Sequence, residues 1–183
     1  PNIAYICSRY YRAPELILDS QNYNESIDIW SFGCVLAEMI KGKPFLQGDS
    51  MNSQISKIVE IFGSIKEDEL NAMGVKKKNN NFLDQVQKAK GMPIEEVFPN
   101  MPKDLLNLLS RIFVYNPRKR ITALEIMAHP FFNEIKNVEI FQNGKYIVPN
   151  LFDFSKKEIS MSKNKEIFKK IIPEWCDSYK NID

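Results

Sequence analysis

The sequence predicts a mainly α fold on three observations. Residues 27 to 41 carry Ile27, Ile29, Trp30, Phe32, Cys34, Val35, Leu36, Ala37, Met39 and Ile40, leaving almost no polar face, the pattern of a helix surrounded by protein. Leu105, Leu106, Leu108, Leu109, Ile112 and Phe113 recur with the helical period and form the strongest amphipathic pattern of the chain. Strands do not alternate with helices and no segment repeats, which argues against a parallel sheet or a solenoid. The expected architecture is a bundle built around one fully buried helix, 27–41.

The other elements follow in order. Residues 16–25 read as an irregular connector containing Asp19, Ser20, Asn22 and Asn24, with Ser26 as N-cap of the central helix and Gly42 as its stop. A second helix from 50 to 62 sets Ile55, Ile58, Val59 and Phe62 on one stripe and ends at Gly63. Ser64-Ile65-Lys66-Glu67 has capping-box spacing and opens a short helix to about Met73, closed by Gly74. Residues 75–101 hold a Lys/Asn run, Pro93 and Pro99, and are the least ordered stretch by sequence, with at most a short helical piece at 83–90. Pro102 suits position N1 of the amphipathic helix. Thr122-Ala123-Leu124-Glu125 is another capping box, leading a short helix that stops at His129-Pro130.

At 183 residues and 44% hydrophobic content the chain can bury a core of its own. No apolar run approaches the roughly 20 residues of a membrane span, and the first residues resemble no signal peptide, so a cytoplasmic or nuclear location is expected. Cys7, Cys34 and Cys176 form no C-x-x-C pair and read as free thiols; metal binding at His129 lacks a second histidine or an acidic cluster. A net charge of +2 is too small to argue for nucleic acid or a membrane surface, and Lys76-Lys77-Lys78 beside Asn79-Asn80-Asn81 suits a solvated loop. Only five of the 25 basic residues are arginine. Each is therefore a candidate for a place needing a planar, bidentate donor.

Residues 5 to 15 read Tyr-Ile-Cys-Ser-Arg-Tyr-Tyr-Arg-Ala-Pro-Glu. With Asp28-Ile29-Trp30-Ser31-Phe32-Gly33, Asn116-Pro117-Arg118-Lys119-Arg120 and His129-Pro130-Phe131-Phe132, in that order, they resemble the C-terminal, helical lobe of a eukaryotic protein kinase from the end of its activation segment onward. Leu16-Ile17, Gly48-Asp49-Ser50, the insert at about 65–100 and Leu151-Phe152-Asp153-Phe154 make the chain similar to the glycogen synthase kinase-3 family in particular, weakly so around 75–100 and after 160. The resemblance divides the chain into an activation-segment end and substrate-binding loop at 1–25, a helical lobe at 26–135 and a C-terminal tail extension at 136–183.

The remaining kinase signatures are missing. The glycines never come as G-x-G, His129 precedes proline rather than Arg-Asp, and neither Phe32-Gly33 nor Phe62-Gly63 follows an aspartate. The expectation is a chain without the N-terminal lobe and catalytic loop, with no catalytic residue of its own, no metal site and no bound ATP or magnesium, cofactors that the resemblance assigns to the complete kinase.

The resemblance also implies roles. Glu15 and Arg120 would form a buried ion pair anchoring the activation segment, and Asp28 would hold the backbone of the catalytic loop. Tyr5 matches the family's activation-loop phosphotyrosine, with Arg9 and Arg12 near enough to pair with its phosphate, and Ser8 would touch the catalytic loop. The Ile55, Ile58, Val59 and Phe62 stripe and the following loop resemble the region where the family docks scaffold or inhibitor helices, although core packing is the commoner job for most of such a stripe. Protein substrates, some already phosphorylated, are the implied partners, and a dimer or partner would cover the apolar surface that the missing lobe leaves around Asp28. Two functions remain open: the substrate-side lobe of a serine/threonine kinase, or a free-standing, non-catalytic module binding a partner helix or a kinase.

Overall fold

The computed structural model describes residues 7–75, 89–135, 140–142 and 145–147. The chain falls into two units, Pro1–Ile121 and Thr122–Asp183. Among the described residues every regular element of the first unit is a helix, and the mainly α fold is as the sequence predicts.

Its first element is a 3-10 turn, Arg9–Tyr11, followed by a single α turn, α1 (Pro14–Ile17), that begins with proline at N1, where no N–H is needed. Its last two residues fall in the stretch expected to be an irregular connector. Helix α2 (Ser26–Lys41) stops at Gly42, whose φ of 68° is left-handed and whose N–H donates to the Glu38 carbonyl at 2.8 Å. Helix α3 (Met51–Phe62) starts at Ser50, whose hydroxyl accepts from Ser53 N–H at 3.1 Å.

Helix α4 (Glu67–Ala72) departs from expectation, since its N-cap is Lys66 rather than Ser64. Lys66 N–H donates to Glu69 Oε2 at 2.8 Å, so half a capping box forms two residues late, and an ammonium cannot supply the accepting half. A further short turn, α5 (Ile94–Val97), starts after Pro93 in the stretch read as irregular. Helix α6 (Lys103–Ile112) takes Pro102 as N-cap, one residue from the expected N1. The piece expected at 83–90 lies outside the described residues, apart from its last two.

The core is a cluster of five aromatic rings from across the unit. Trp30 meets Phe113 edge-on at 5.1 Å and Phe62 at 5.8 Å, Phe62 stacks on Phe113 at 4.7 Å, and Phe45 lies 5.1 Å from Phe98. Each such pair adds about 0.5–1.5 kcal/mol beyond its buried area. Lys41 Nζ donates to the Val97 carbonyl at 2.7 Å and sits 4.9 Å above the Phe98 ring, closing one side of the cluster.

Helix α2 is not surrounded by protein, as its composition suggested. Ile27, Trp30, Cys34 and Ala37 face the core, while Phe32, Val35 and Met39 are 37%, 46% and 77% exposed. Asp28 lies on the same outer stripe, which runs 28, 32, 35, 39 at helical spacing.

In the second unit, α7 (Ala123–Met127) carries the capping box read from sequence: Thr122 Oγ1 accepts from Glu125 N–H at 3.3 Å, and Glu125 Oε2 accepts from Thr122 N–H at 2.8 Å. A 3-10 segment, Pro130–Ile135, follows, with His129 Nδ1 accepting from Phe131 N–H at 3.3 Å. Strands β1 (Ile140–Gln142) and β2 (Lys145–Ile147) then pair antiparallel in the register Ile140↔Ile147, Phe141↔Tyr146, Gln142↔Lys145. This ladder was not anticipated.

Helices α2 and α6 approach closely at Gly33, where an added Cβ would meet Ile112 Cγ2 at 2.3 Å and the Phe113 ring at 3.1 Å. Alanine in a helix interior normally gains ~1 kcal/mol over glycine. Overpacking a tight core costs about 1–3 kcal/mol, and the β-branched Ile112 has little freedom to yield. Gly33→Ala is therefore expected to lower the urea midpoint followed by tryptophan fluorescence, and an unchanged or raised midpoint would show that the seam has slack.

Candidate functional site

Glu15 and Arg120, 105 positions apart in sequence, meet as a fully buried bidentate pair, with Nη1 to Oε1 at 2.9 Å and Nη2 to Oε2 at 3.0 Å. Sequence places them there by two local devices. The α1 turn after Ala13-Pro14 points Glu15 inward, and a turn at 116–120, in which the Asn116 carbonyl accepts from Lys119 and Arg120 N–H, presents the arginine. Nη1 also donates to the Ser26 carbonyl at 2.7 Å and Nε to the Val114 carbonyl at 3.1 Å. The guanidinium lies 5.3 Å over the Trp30 ring. One side chain thus joins α1, the start of α2 and the segment after α6.

The segment ahead of α1 is held by the other two motif arginines. Arg9 Nη1 donates to the Asp49 carbonyl at 2.7 Å and reaches the Gly48 carbonyl at 3.4 Å. Arg12, buried, donates from Nη2 to the Cys7 carbonyl at 2.7 Å and from Nη1 to Met51 Sδ at 3.1 Å. Tyr11 Oη donates to Glu38 Oε2 at 2.6 Å, and Ser31 Oγ donates to the Tyr11 carbonyl at 2.8 Å. Ser8 is exposed, and its carbonyl accepts from Tyr11 N–H at 3.1 Å. Tyr5 lies outside the described residues. Arg9 thus reaches carbonyls, and Arg12 reaches a carbonyl and a thioether among its contacts.

The docking role expected of the α3 stripe is corrected. Ile55, Ile58 and Val59 are fully buried and Phe62 belongs to the aromatic cluster, so these side chains are core. Their neighbour Gln54, which sequence reasoning passed over, is fully buried too; its Oε1 accepts from Gly48 N–H at 2.8 Å and its Nε2 donates to the Leu46 carbonyl at 3.2 Å. It holds the loop that Arg9 grips from the other side. A signal was available: Gln54 precedes Ile58 by four residues and so falls on the buried stripe.

Asp28 is exposed, and its carboxylate has no hydrogen bond to the described residues. With Phe32, Val35 and Met39 it forms a solvent-facing stripe on α2.

Burial pushes the Cys34 thiol up to about 12, and the positive charge of Arg120 offsets this only in part. The buried Trp30 indole N–H has no hydrogen-bond partner among the described residues, although its proximity also works against the rise of the Cys34 thiol. The Tyr115 hydroxyl is raised by burial and donates to the Gly63 carbonyl at 2.6 Å. Tyr11 is raised by its hydrogen bond to Glu38. Among the described residues no group of three or more His, Cys, Asp or Glu side chains could hold a metal ion.

A helical unit whose Ala-Pro-Glu glutamate is locked to a distant arginine is the arrangement of a kinase lobe. The family model of the protein kinase domain matches residues 3–132, and the chain belongs to the protein kinase family. Two proteins that the chain is similar to carry the glycogen synthase kinase 3 name. Glycogen synthase kinase 3 of Trypanosoma brucei brucei is 40% identical over 161 residues, covering 87% of this chain and 44% of that protein. Protein kinase gsk3 of Schizosaccharomyces pombe is 38% identical over 182 residues, covering 94% of this chain and 45% of that protein. The chain thus spans less than half the length of these relatives.

Removing one partner of a buried ion pair typically costs about 3–5 kcal/mol, whereas an exposed pair such as Lys57–Glu60 contributes under about 1 kcal/mol. Arg120→Ala should therefore lower the unfolding free energy severalfold more than Lys57→Ala in denaturant titrations; equal losses would remove the anchor. Iodoacetamide at pH 8 should label exposed Cys7 and leave Cys34 unmodified until the chain is unfolded, and equal labelling in the native state would contradict the burial of Cys34.

Proposed function

We propose that this chain forms the substrate-side helical lobe of a serine/threonine kinase of the glycogen synthase kinase-3 type, whose complete enzyme transfers the γ-phosphate of ATP with magnesium to protein substrates. The observation that supports this best is the buried Glu15–Arg120 pair, which spends a costly interaction on fixing the segment just ahead of it. Such a segment is useful where a peptide must be presented in one geometry to a reacting phosphate.

The chain's own residues do not fit ATP or its metal. It has no G-x-G loop, no His-Arg-Asp and no Asp-Phe-Gly, and no acidic cluster among the described residues suits magnesium. Phosphoryl transfer belongs to the complete enzyme. What these residues do is positional. Arg9 and Arg12 tie residues 7–12 to the start of α3, Tyr11 ties them to α2, and Glu15 closes the far end.

In this reading Tyr5 is the regulatory phosphotyrosine, and its phosphate competes with the Cys7 and Asp49 carbonyls for the Arg12 and Arg9 donors, which charge favours. Ser8 faces the catalytic loop, Asp28 takes its backbone donors from that loop, and the rest of the parent protein covers Phe32, Val35 and Met39. That exposed stripe also favours a second reading, a free-standing module that binds a partner there.

The purified chain is expected to show no saturable ATP binding by calorimetry and no phosphorylation of peptides. Robust, saturable activity from material free of other kinases would overturn this. An antibody to residues 76–82 distinguishes the two readings in the native cell: a product much heavier than 21.3 kDa supports the kinase lobe, and one at 21.3 kDa supports the module.

A further inference from the structure

The contact between Arg12 and Met51 pairs a strong donor with a weak acceptor. Arg12 Nη1 lies 3.1 Å from the thioether sulfur, while Nη2 of the same buried guanidinium donates to the Cys7 carbonyl. A thioether accepts hydrogen bonds poorly, whereas the sulfoxide formed from it by gain of one oxygen is strongly dipolar and accepts well. Met51 is half-buried, the first residue of α3, and its unbranched side chain can retreat to admit that oxygen. The cation that would receive the oxygen is already in place.

We propose that Met51 is a peroxide-sensitive modification site, and that the oxygen of its sulfoxide takes the Arg12 donor and tightens the joint between residues 7–12 and the start of α3. The step balances with hydrogen peroxide as oxidant. A sulfur lone pair attacks one peroxide oxygen, the S–O bond forms as the O–O bond breaks, and the proton on the attacked oxygen passes to the departing hydroxide to give water. Sulfur loses two electrons and the peroxide gains them.

The geometry singles out Met51 among the methionines near it in reactivity. Met39 and Met92 are exposed and will oxidise readily, but among the described residues only the Met51 sulfur accepts a hydrogen bond from a guanidinium. Met73 is fully buried and protected. The segment that Met51 touches is joined to α3 at a second point, where Arg9 holds the Asp49 carbonyl, so a stronger Arg12 contact bears on backbone already close to α3. None of this depends on the kinase reading.

The test treats the whole chain with dilute hydrogen peroxide, maps sulfoxide by peptide mass spectrometry and follows hydrogen exchange in the peptide containing residues 8–12. Exchange there is expected to slow about threefold or more once Met51 is oxidised, to recover after methionine sulfoxide reductase, and to be unaffected by peroxide in Met51→Leu. The proposal is overturned if Met51 stays reduced while Met39 and Met92 oxidise, if exchange is unchanged or faster in the oxidised chain, or if Met51→Leu slows equally.

Discussion

The bidentate contact between Glu15 and Arg120 is the constraint on which the rest of the first unit depends. A buried carboxylate and guanidinium are each costly to desolvate, and the cost is met only where geometry satisfies both. Here the fork of Arg120 meets both carboxylate oxygens, and its remaining donors go to the Ser26 and Val114 carbonyls. Three backbone regions, α1, the start of α2 and residues 114–120, must therefore arrive together or leave a charge unpaired in the core. That requirement specifies one arrangement in a way the aromatic cluster alone, with its tolerance for repacking, does not.

The pair was legible because both residues sit in short motifs whose neighbours are informative. Pro14 starts a turn and Asn116-Pro117 builds another, so residue types on either side betray the geometry. The α3 stripe was not legible in the same sense. Ile55, Ile58, Val59 and Phe62 recur at a spacing that any apolar helix face shows, whether it meets a core or a partner, and only burial separates the two. Composition similarly overstated the burial of α2, because a helix apolar all round reveals nothing about how many of its sides this chain itself can cover.

The hairpin of the second unit had a signal in the sequence. Asn143-Gly144 between Phe141-Gln142 and Lys145-Tyr146 is the spacing of a two-residue hairpin, and the pairing of Gln142 with Lys145 agrees with it. The capping box at Ser64 competed with a second pair at Lys66 and Glu69, where the backbone of Lys66 is the donor. Since Glu69 needs only an N–H, residue identity at 66 carried no warning. The positions of Arg9 and Arg12 were marked by composition, as arginine is scarce in this chain. Their partners were not, because carbonyls and a thioether leave no trace in the pattern of charges.

Helix α2 links these local results to a function of the whole lobe. Its inner and lateral side chains define where the segment 9–15 lies: Ser26 through Arg120 to Glu15, Ser31 to the Tyr11 carbonyl, and Glu38 to the Tyr11 hydroxyl. The outer stripe, Asp28, Phe32, Val35 and Met39, alternates with these contacts along the same rod. Because a helix moves as a rigid body over three or four turns, whatever settles on the outer stripe and shifts α2 must shift all three attachment points together. Whatever covers that stripe therefore bears on the same rod that holds residues 9–15 in place.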